Sequence, residues 1–263
     1  NERDLPLGIH HVTAMTSDVV KNYEFFTEVL GMRLVKKTVN QDDIHTYHTY
    51  YGDDTGSPGT AMTFFDFPNN PKGIKGTNAI TRTSFRVPND ASLEYYQERF
   101  AKFDVKHEAI TTEFGKKVLR FWDFDEQAYQ LISDENNVGM KPGTPWKKGP
   151  VPEKFAIYGL GPVEITVSYF NDFKEIFEEL LSFEEIAQEG NRYLLEVGEK
   201  GNGAQVVLIE DATQNIAQQG YGEVHHFALR LKDAASIKLW ITRLNQAGLP
   251  NSGYVNRFYF ESL

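Results

Sequence analysis

The chain has 263 residues, with 27 Lys and Arg against 37 Asp and Glu, a formal net charge of -10 and 40% hydrophobic content. That balance repels phosphate backbones and anionic bilayers, so neither nucleic acid nor a membrane is an expected partner, and no apolar run approaches the roughly 18 residues of a spanning helix. With no cysteine and no basic-then-apolar leader, a disulfide framework and secretion are not suggested, and a cytoplasmic setting is the expectation.

Read in chain order, one local pattern occurs four times. A β-branched strand ends at a small polar cap, and an amphipathic helix follows. The first copy is GIHHVTAMTSDVVKNYEFFTEVLGM, with a predicted stripe of Val19, Tyr23, Phe26 and Leu30, a cap at Ser17 or Asp18, and a stop at Gly31. The second, AITRTSFRVPNDASLEYYQERFAKF, has Leu93, Tyr96, Phe100 and Phe103. The third, GPVEITVSYFNDFKEIFEELLSF, has Phe173, Ile176, Phe177, Leu180 and Leu181. The fourth, GEVHHFALRLKDAASIKLWITRLNQAGL, has Ile237, Trp240, Ile241 and Leu244.

Aromatic-rich alternating segments such as MRLVKKTVN, DIHTYHTYYGD and GTAMTFFDFP follow the helices, so each copy reads as one strand, one helix and about three further strands, a βαβββ module. The boundaries fall at about 8–68, 77–134, 155–211 and 221–263. Residues 135–154 carry four prolines and three glycines without periodicity, which makes them the expected linker between halves 1–134 and 155–263. The fourth module is incomplete: NRFYFESL falls where its second strand is expected.

Four of the seven histidines stand in two doublets, His10-His11 and His225-His226, on the first strands of the first and fourth modules. Strict alternation along a strand sends the two members of a doublet to opposite faces. On that rule His225 goes with Phe227, Leu229 and Leu231 toward the helix, and His226 goes with Val224, Ala228 and Arg230 toward the open face; His10 goes with Val12 and Ala14, and His11 with Ile9, Thr13 and Met15. Seven residues separate His11 from Asp18 and His226 from Asp233, so these two positions are equivalent; the same count from Asn171 reaches Glu164, and in the second module it reaches Thr83 or Arg82. A lone strand histidine is most often a hydrogen-bonded structural residue. Two at equivalent positions of repeated modules instead converge on a cavity, as half of a metal site.

The motifs HHVTA, LGMRLVKKTVNQDD and TYHTYYGDDTGSPGTAMTFFDFP, together with GEVHHFAL and NRFYFESL, resemble the vicinal oxygen chelate (glyoxalase/bleomycin resistance/dioxygenase) superfamily, in particular its hydroquinone-type ring-cleaving dioxygenases. The resemblance implies an α+β fold in which four βαβββ modules form two paired-module sheets, the first module partnering the last. It implies one Fe(2+), with Mn, Zn or Ni as alternatives, held by His11, His226 and a glutamate on a strand beyond Leu263. Glu164 and Glu261 are read as solvated or hydrogen-bonded charges rather than as that ligand. His10 and His225 become catalytic neighbours that orient metal-bound groups, and Arg257 could hold substrate or a developing charge near the iron. The implied partners are a small aromatic substrate and O2, with homo-oligomerisation left open.

Of the remaining residues in these motifs, His45 and His48 are poor joint ligands because a separation of three puts them on opposite faces, so at most one meets the cavity. Tyr47, Tyr51, Phe64 and Phe121 are read as core before pocket, and His107 is given no role. Two other functions share the expected fold: a glyoxalase-like lyase or isomerase using zinc or nickel, and a metal-free protein that sequesters aromatic ligands.

Overall fold

The computed structural model describes residues 5–39, 47–67, 69–231 and 258–261. The first module runs β1 (Gly8–Met15), α1 (Val19–Glu24), β2 (Arg33–Val39), β3 (Tyr47–Gly52) and β4 (Ala61–Asp66). The second is β5 (Ala79–Val87), α2 (Asp90–Lys102), β6 (Thr111–Glu113), β7 (Lys116–Trp122) and β8 (Ala128–Ser133). The third is β9 (Gly159–Val167), α3 (Phe170–Glu175), β10 (Glu184–Glu189), β11 (Arg192–Glu196) and β12 (Gln205–Glu210), and the described parts of the fourth are β13 (Val224–Arg230) and β14 (Phe258–Glu261). The helix expected in the fourth module lies outside the described residues.

In the first three modules the opening strand pairs in parallel with the last, and the remaining two strands follow antiparallel. Modules join through their opening strands. β1 runs antiparallel to β13 in a six-stranded sheet, and β5 runs antiparallel to β9 in an eight-stranded one. Each sheet therefore takes one module from either side of the 135–154 segment. The last strand, β14, pairs in parallel with β13. It thus occupies the slot that the fourth strand fills elsewhere, not the second-strand place expected of NRFYFESL, and it satisfies N–H and C=O groups along one edge of β13.

The described helices follow their predicted stripes except at Tyr23 and Phe103, which is 41% exposed, and the third begins at Tyr169 rather than at Asn171. Asp18 caps α1 by accepting from the amides of Val20 and Lys21 at 3.0 Å, and Gly31 ends the helix at φ 77°. Between them the helix widens to π geometry over Phe25–Leu30. An added residue per turn breaks the i, i+4 phase, so Phe25, Phe26 and Leu30 are buried while Tyr23, predicted in the stripe, is 44% exposed. Phe26 is the junction of the two layers. Its ring lies 4.8 Å from Tyr51 and 5.0 Å from Phe64 in one sheet, and 6.1 Å from Phe85 and 6.0 Å from Tyr129 in the other. Tyr51, Phe64 and Phe121 belong to this core, as the sequence indicates.

The 135–154 segment has no regular structure yet is firmly tied. The buried Arg86 donates through Nη2 to the Met140 carbonyl at 2.9 Å and pairs with Asp134, while the Thr144 amide donates to Asp53 Oδ2 at 2.8 Å. These bonds hold the crossover against both sheets and fix the 53–60 loop that rims the site.

Candidate metal centre

The site forms where β1 crosses β13, and its shape depends on two β-bulges. The register runs Ile9 opposite Leu229, then His11 opposite Ala228, which leaves His10 as the extra residue; further on it runs Thr13 opposite His226, then Ala14 opposite Val224, which leaves out His225. An extra residue resets the alternation of faces. Ile9 and Val12 consequently both enter the core, as do Val224 and Phe227, with both members of each doublet between them half-buried. The expectation that one histidine of each doublet turns under the helix is therefore corrected: His10 lies on the cavity wall beside His11, and His225 is half-buried rather than packed with Phe227 and Leu229.

The two doublets have the same internal geometry. Nδ1 of His10 lies 2.8 Å from Nδ1 of His11, and Nδ1 of His225 lies 2.8 Å from Nδ1 of His226. The rings of His11 and His226 face each other edge-on with centroids 5.6 Å apart. One proton bridges each Nδ1 pair. With that proton on His11 and on His226, their companions accept it and each of the two rings takes the tautomer whose lone pair is on Nε2, which is how an outer histidine sets the tautomer of a ligating one.

Electrostatics keeps these rings uncharged. Burial, then the neighbouring His10 and His48, pull His11 down to about 4; burial, then His11, His225 and His48, pull His226 down to about 3. Burial and then Arg230 lower His10 as well. Imidazoles that are neutral at pH 7 need not release a proton before ligating. Neutral imidazole nitrogens suit Fe, Zn, Ni and related divalent transition metals rather than Mg or Ca, so the residues present fit the implied metal. Among the described residues no set of three His, Cys, Asp or Glu side chains gathers around a common point.

The rest of the wall follows from register. Across the open face of the sheet, His226, Thr13, Thr63, Tyr50 and Lys36 form one row, and Met15, Phe65 and His48 form a second. The cavity they enclose, about 320 Å³, is lined by His10, His11, His48, Tyr50, Phe65 and His226 among others. A second cavity of about 460 Å³ shares His10, Tyr50 and Ala61 with it and opens toward Lys36 and Ser57. None of the described lining residues of either cavity is a carboxylate. Of the His45/His48 pair, His48 meets the cavity, and His45 lies outside the described residues. Both nitrogens of His48 are engaged, Nδ1 by Tyr50 Oη at 2.9 Å and Nε2 by Thr63 Oγ1 at 3.0 Å, so it is a wall residue and not a ligand. Sequence spacing missed this, although HTYHTYYGD carried the signal: His48 and Tyr50 sit two apart on one strand face.

Arg257 lies outside the described residues. Glu261 is known by its backbone register alone, opposite Arg230. Glu164 sits in the other sheet, buried, 2.7 Å from Arg192, 3.6 Å from Arg82 and 4.0 Å from Arg120. Its assignment as the counterpart of His226 also fails on the count: the third helix is capped at Tyr169, not Asn171, so seven residues back is Pro162. In β5 the bulge falls at Thr81, and Arg82 takes the place of His11. The second sheet therefore holds an arginine–glutamate cluster at the level where the first sheet holds imidazoles.

Residues 8–130 match the sequence profile of the "Glyoxalase/Bleomycin resistance protein/Dioxygenase superfamily". The chain is 41% identical to "Putative ring-cleaving dioxygenase MhqA" of Bacillus subtilis over 97% of its length and 82% of that protein's. It is 27% identical to "Chlorohydroquinone/hydroquinone 1,2-dioxygenase" of Sphingobium indicum, over 97% of this chain and 80% of that one. A crystal structure described as a "putative dioxygenase from Bacillus subtilis" superposes with a TM-score of 0.84 at 29% identity, covering 93% of this chain and 76% of that one. Glyoxalase I from Zea mays shares the fold, with a TM-score of 0.65 at 14% identity over 92% and 80% of the two chains. The repeated modules, the paired opening strands and these likenesses agree: the chain belongs to the glyoxalase/bleomycin resistance protein/dioxygenase superfamily.

Proposed function

We propose that this protein is an iron(II)-dependent ring-cleaving dioxygenase for hydroquinone-type aromatic diols. The observation that carries the reading is the facing pair of neutral imidazoles, His11 and His226, each tied through Nδ1 to its own companion histidine. The names of the relatives, ring-cleaving dioxygenases and a hydroquinone dioxygenase, support the same chemistry. The proposal takes the third ligand to be a glutamate beyond Leu263. The relatives' names, and not the described cavity walls, favour this reading over a glyoxalase-like site built on more carboxylate ligands.

Bound iron would supply a place where the aromatic diol and O2 meet and exchange electrons. The protein's own residues do the rest. Phe65, His48 and Tyr50, packed in one stack with centroids 3.9 and 4.1 Å apart, give the cavity a rigid aromatic wall against which a ring can pack. His10 and His225 hold the ligand rings in orientation. The half-buried, largely apolar surroundings of Ala61 and Phe65 exclude water from the reacting ring.

The test is anaerobic loading with Fe(II), followed by oxygen-electrode assays on a panel of hydroquinones and catechols. Uptake with hydroquinones is expected, and His11→Ala and His226→Ala are each expected to abolish it. Full activity in either variant, or tightly held zinc or nickel with no oxygen uptake, would refute the proposal.

A further inference from the structure

Four side chains on the cavity wall form an unbroken line of hydrogen bonds that the arrangement of ligands does not require. Tyr50 Oη lies 2.9 Å from His48 Nδ1, His48 Nε2 lies 3.0 Å from Thr63 Oγ1, and Thr63 Oγ1 lies 2.7 Å from Thr13 Oγ1. The inner end, Thr13, is buried and stands opposite His226 in the register. The outer end, Tyr50, is half-buried and borders both cavities. Between them, the His48 ring is clamped by Phe65 at 3.9 Å and Tyr50 at 4.1 Å, so it cannot turn away from either partner.

We propose that Tyr50, His48, Thr63 and Thr13 are a proton relay that carries protons between the outer cavity and the substrate oxygen held beside His226. The proposal rests on the dioxygenase reading above for the identity of the substrate. Each member both donates and accepts, so two polarities of the line are self-consistent. In one, Tyr50 O–H donates to Nδ1, Nε2–H donates to Thr63, and Thr63 O–H donates to Thr13, which leaves the Thr13 proton directed into the inner cavity. Thr13 hands that proton to the substrate oxygen, takes one from Thr63, Thr63 takes one from Nε2, Nδ1 takes one from Tyr50, and Tyr50 takes one from water in the outer cavity. One proton has entered and one has left. The line is now in its second polarity, with Nδ1–H donating to Tyr50, and the reverse passage carries a phenol proton of the substrate outward.

A neutral His48 is what such a line needs, because an imidazolium would donate at both ends and block it. Burial and then Lys36 bring His48 down to about 4. The strand register supplies a second support: Thr13, Thr63 and Tyr50 are successive members of one row, so the backbone sets their spacing.

The experiment uses the iron-loaded enzyme with a hydroquinone. Tyr50→Phe removes the outer hydroxyl and Thr63→Val cuts the line at its middle without changing shape. Each is expected to lower kcat at least about tenfold, a modest share of what proton transfer contributes to catalysis, with KM within about twofold and a changed solvent deuterium isotope effect. Because both cut one path, the double variant should lose no more than the worse single variant. Unchanged kcat in either single variant, or losses that multiply in the double, would overturn the relay. Imidazole nitrogen NMR on the metal-free protein keeps the two readings separable. It should show one ring proton on His48 and a shift of its nitrogen signals in Tyr50→Phe; unmoved signals overturn the relay. If the parent enzyme takes up no oxygen, the dioxygenase reading fails and the NMR result decides the relay.

Discussion

Replacing His10 with alanine tests the inference that the doublets are built as ligand plus holder. The substitution removes the Nδ1 partner of His11, 2.8 Å away, and leaves the His11 Nδ1–H facing a half-buried gap. A neutral hydrogen bond of this kind contributes about 1 kcal/mol net. The freed ring also regains the rotation that the bond suppressed, and it loses the bias toward the tautomer with a bare Nε2. Together these place His10→Ala in the range found for groups that orient metal ligands, a 10–100-fold weaker metal complex, or about 1.4–2.7 kcal/mol. His225 holds His226 with the same 2.8 Å contact, so His225→Ala should fall in the same range. His10→Gln, which retains an acceptor, should recover part of the loss. Anaerobic competition against a chromophoric chelator measures the affinities. Parent-like affinity, within about twofold, in both alanine variants would show that the companion histidines do not set the ligands, and the role assigned to them would be wrong.

The remaining predictions concern stability. Phe26→Ala empties the junction between the sheets and should cost about 3–5 kcal/mol in urea unfolding, as for other large buried aromatics. Glu164→Ala leaves Arg82, Arg120 and Arg192 without their buried carboxylate and should cost about 3–5 kcal/mol, while metal affinity at the distant imidazoles stays within about twofold. For the metal-free protein, stability should rise with pH between about pH 4 and 6.5. The unfolded chain protonates its histidines below the usual value of 6.5, whereas folded His11, His48 and His226 resist protonation down to about 4, 4 and 3. In that window the unfolded state therefore holds more protons, at a ceiling of about 1.4 kcal/mol per pH unit for each group. Buried Asp123, raised to about 7, opposes this with one group's slope, so the net rise is that of about two groups; thermal unfolding across pH 4–8 reads it, and a fall in stability across that window would mean that these rings are not held neutral.

The modular plan was legible because hydrophobic period is a local property. A strand phase, a cap and a helix stripe can each be read from a dozen residues, and Asp18, Gly31, Leu93, Tyr96 and Phe173 all do in the fold what their spacing says. The pairing of His11 with His226 was also legible, through the common distance to a cap. What failed were inferences that assumed an ideal lattice. Tyr23 left its stripe because the helix widened by a residue per turn, and Glu164 was matched to His226 because the third helix starts earlier than its polar residues suggest.

The bulges show where the alternation argument that singled out His11 and His226 was incomplete. On a regular strand, His10 would face the core with Val12 and Ala14, and burying an imidazole there would demand a partner from the helix. Inserting an extra residue at His10 and at His225 avoids that cost and places both imidazoles of each doublet outside the helix-packed layer, close enough to share a proton. A bulge leaves no mark in the hydrophobic period beyond a spacing of three between core residues, Ile9 to Val12 and Val224 to Phe227. The sequence contains that mark twice, at equivalent places in two modules. The second sheet repeats the device with Ile80, Thr81 and Arg82, but with a cation where His11 would stand. The same backbone irregularity therefore presents a pair of neutral ligands in one sheet and a neutralised charge cluster in the other, and the side chain at the residue after the bulge decides which.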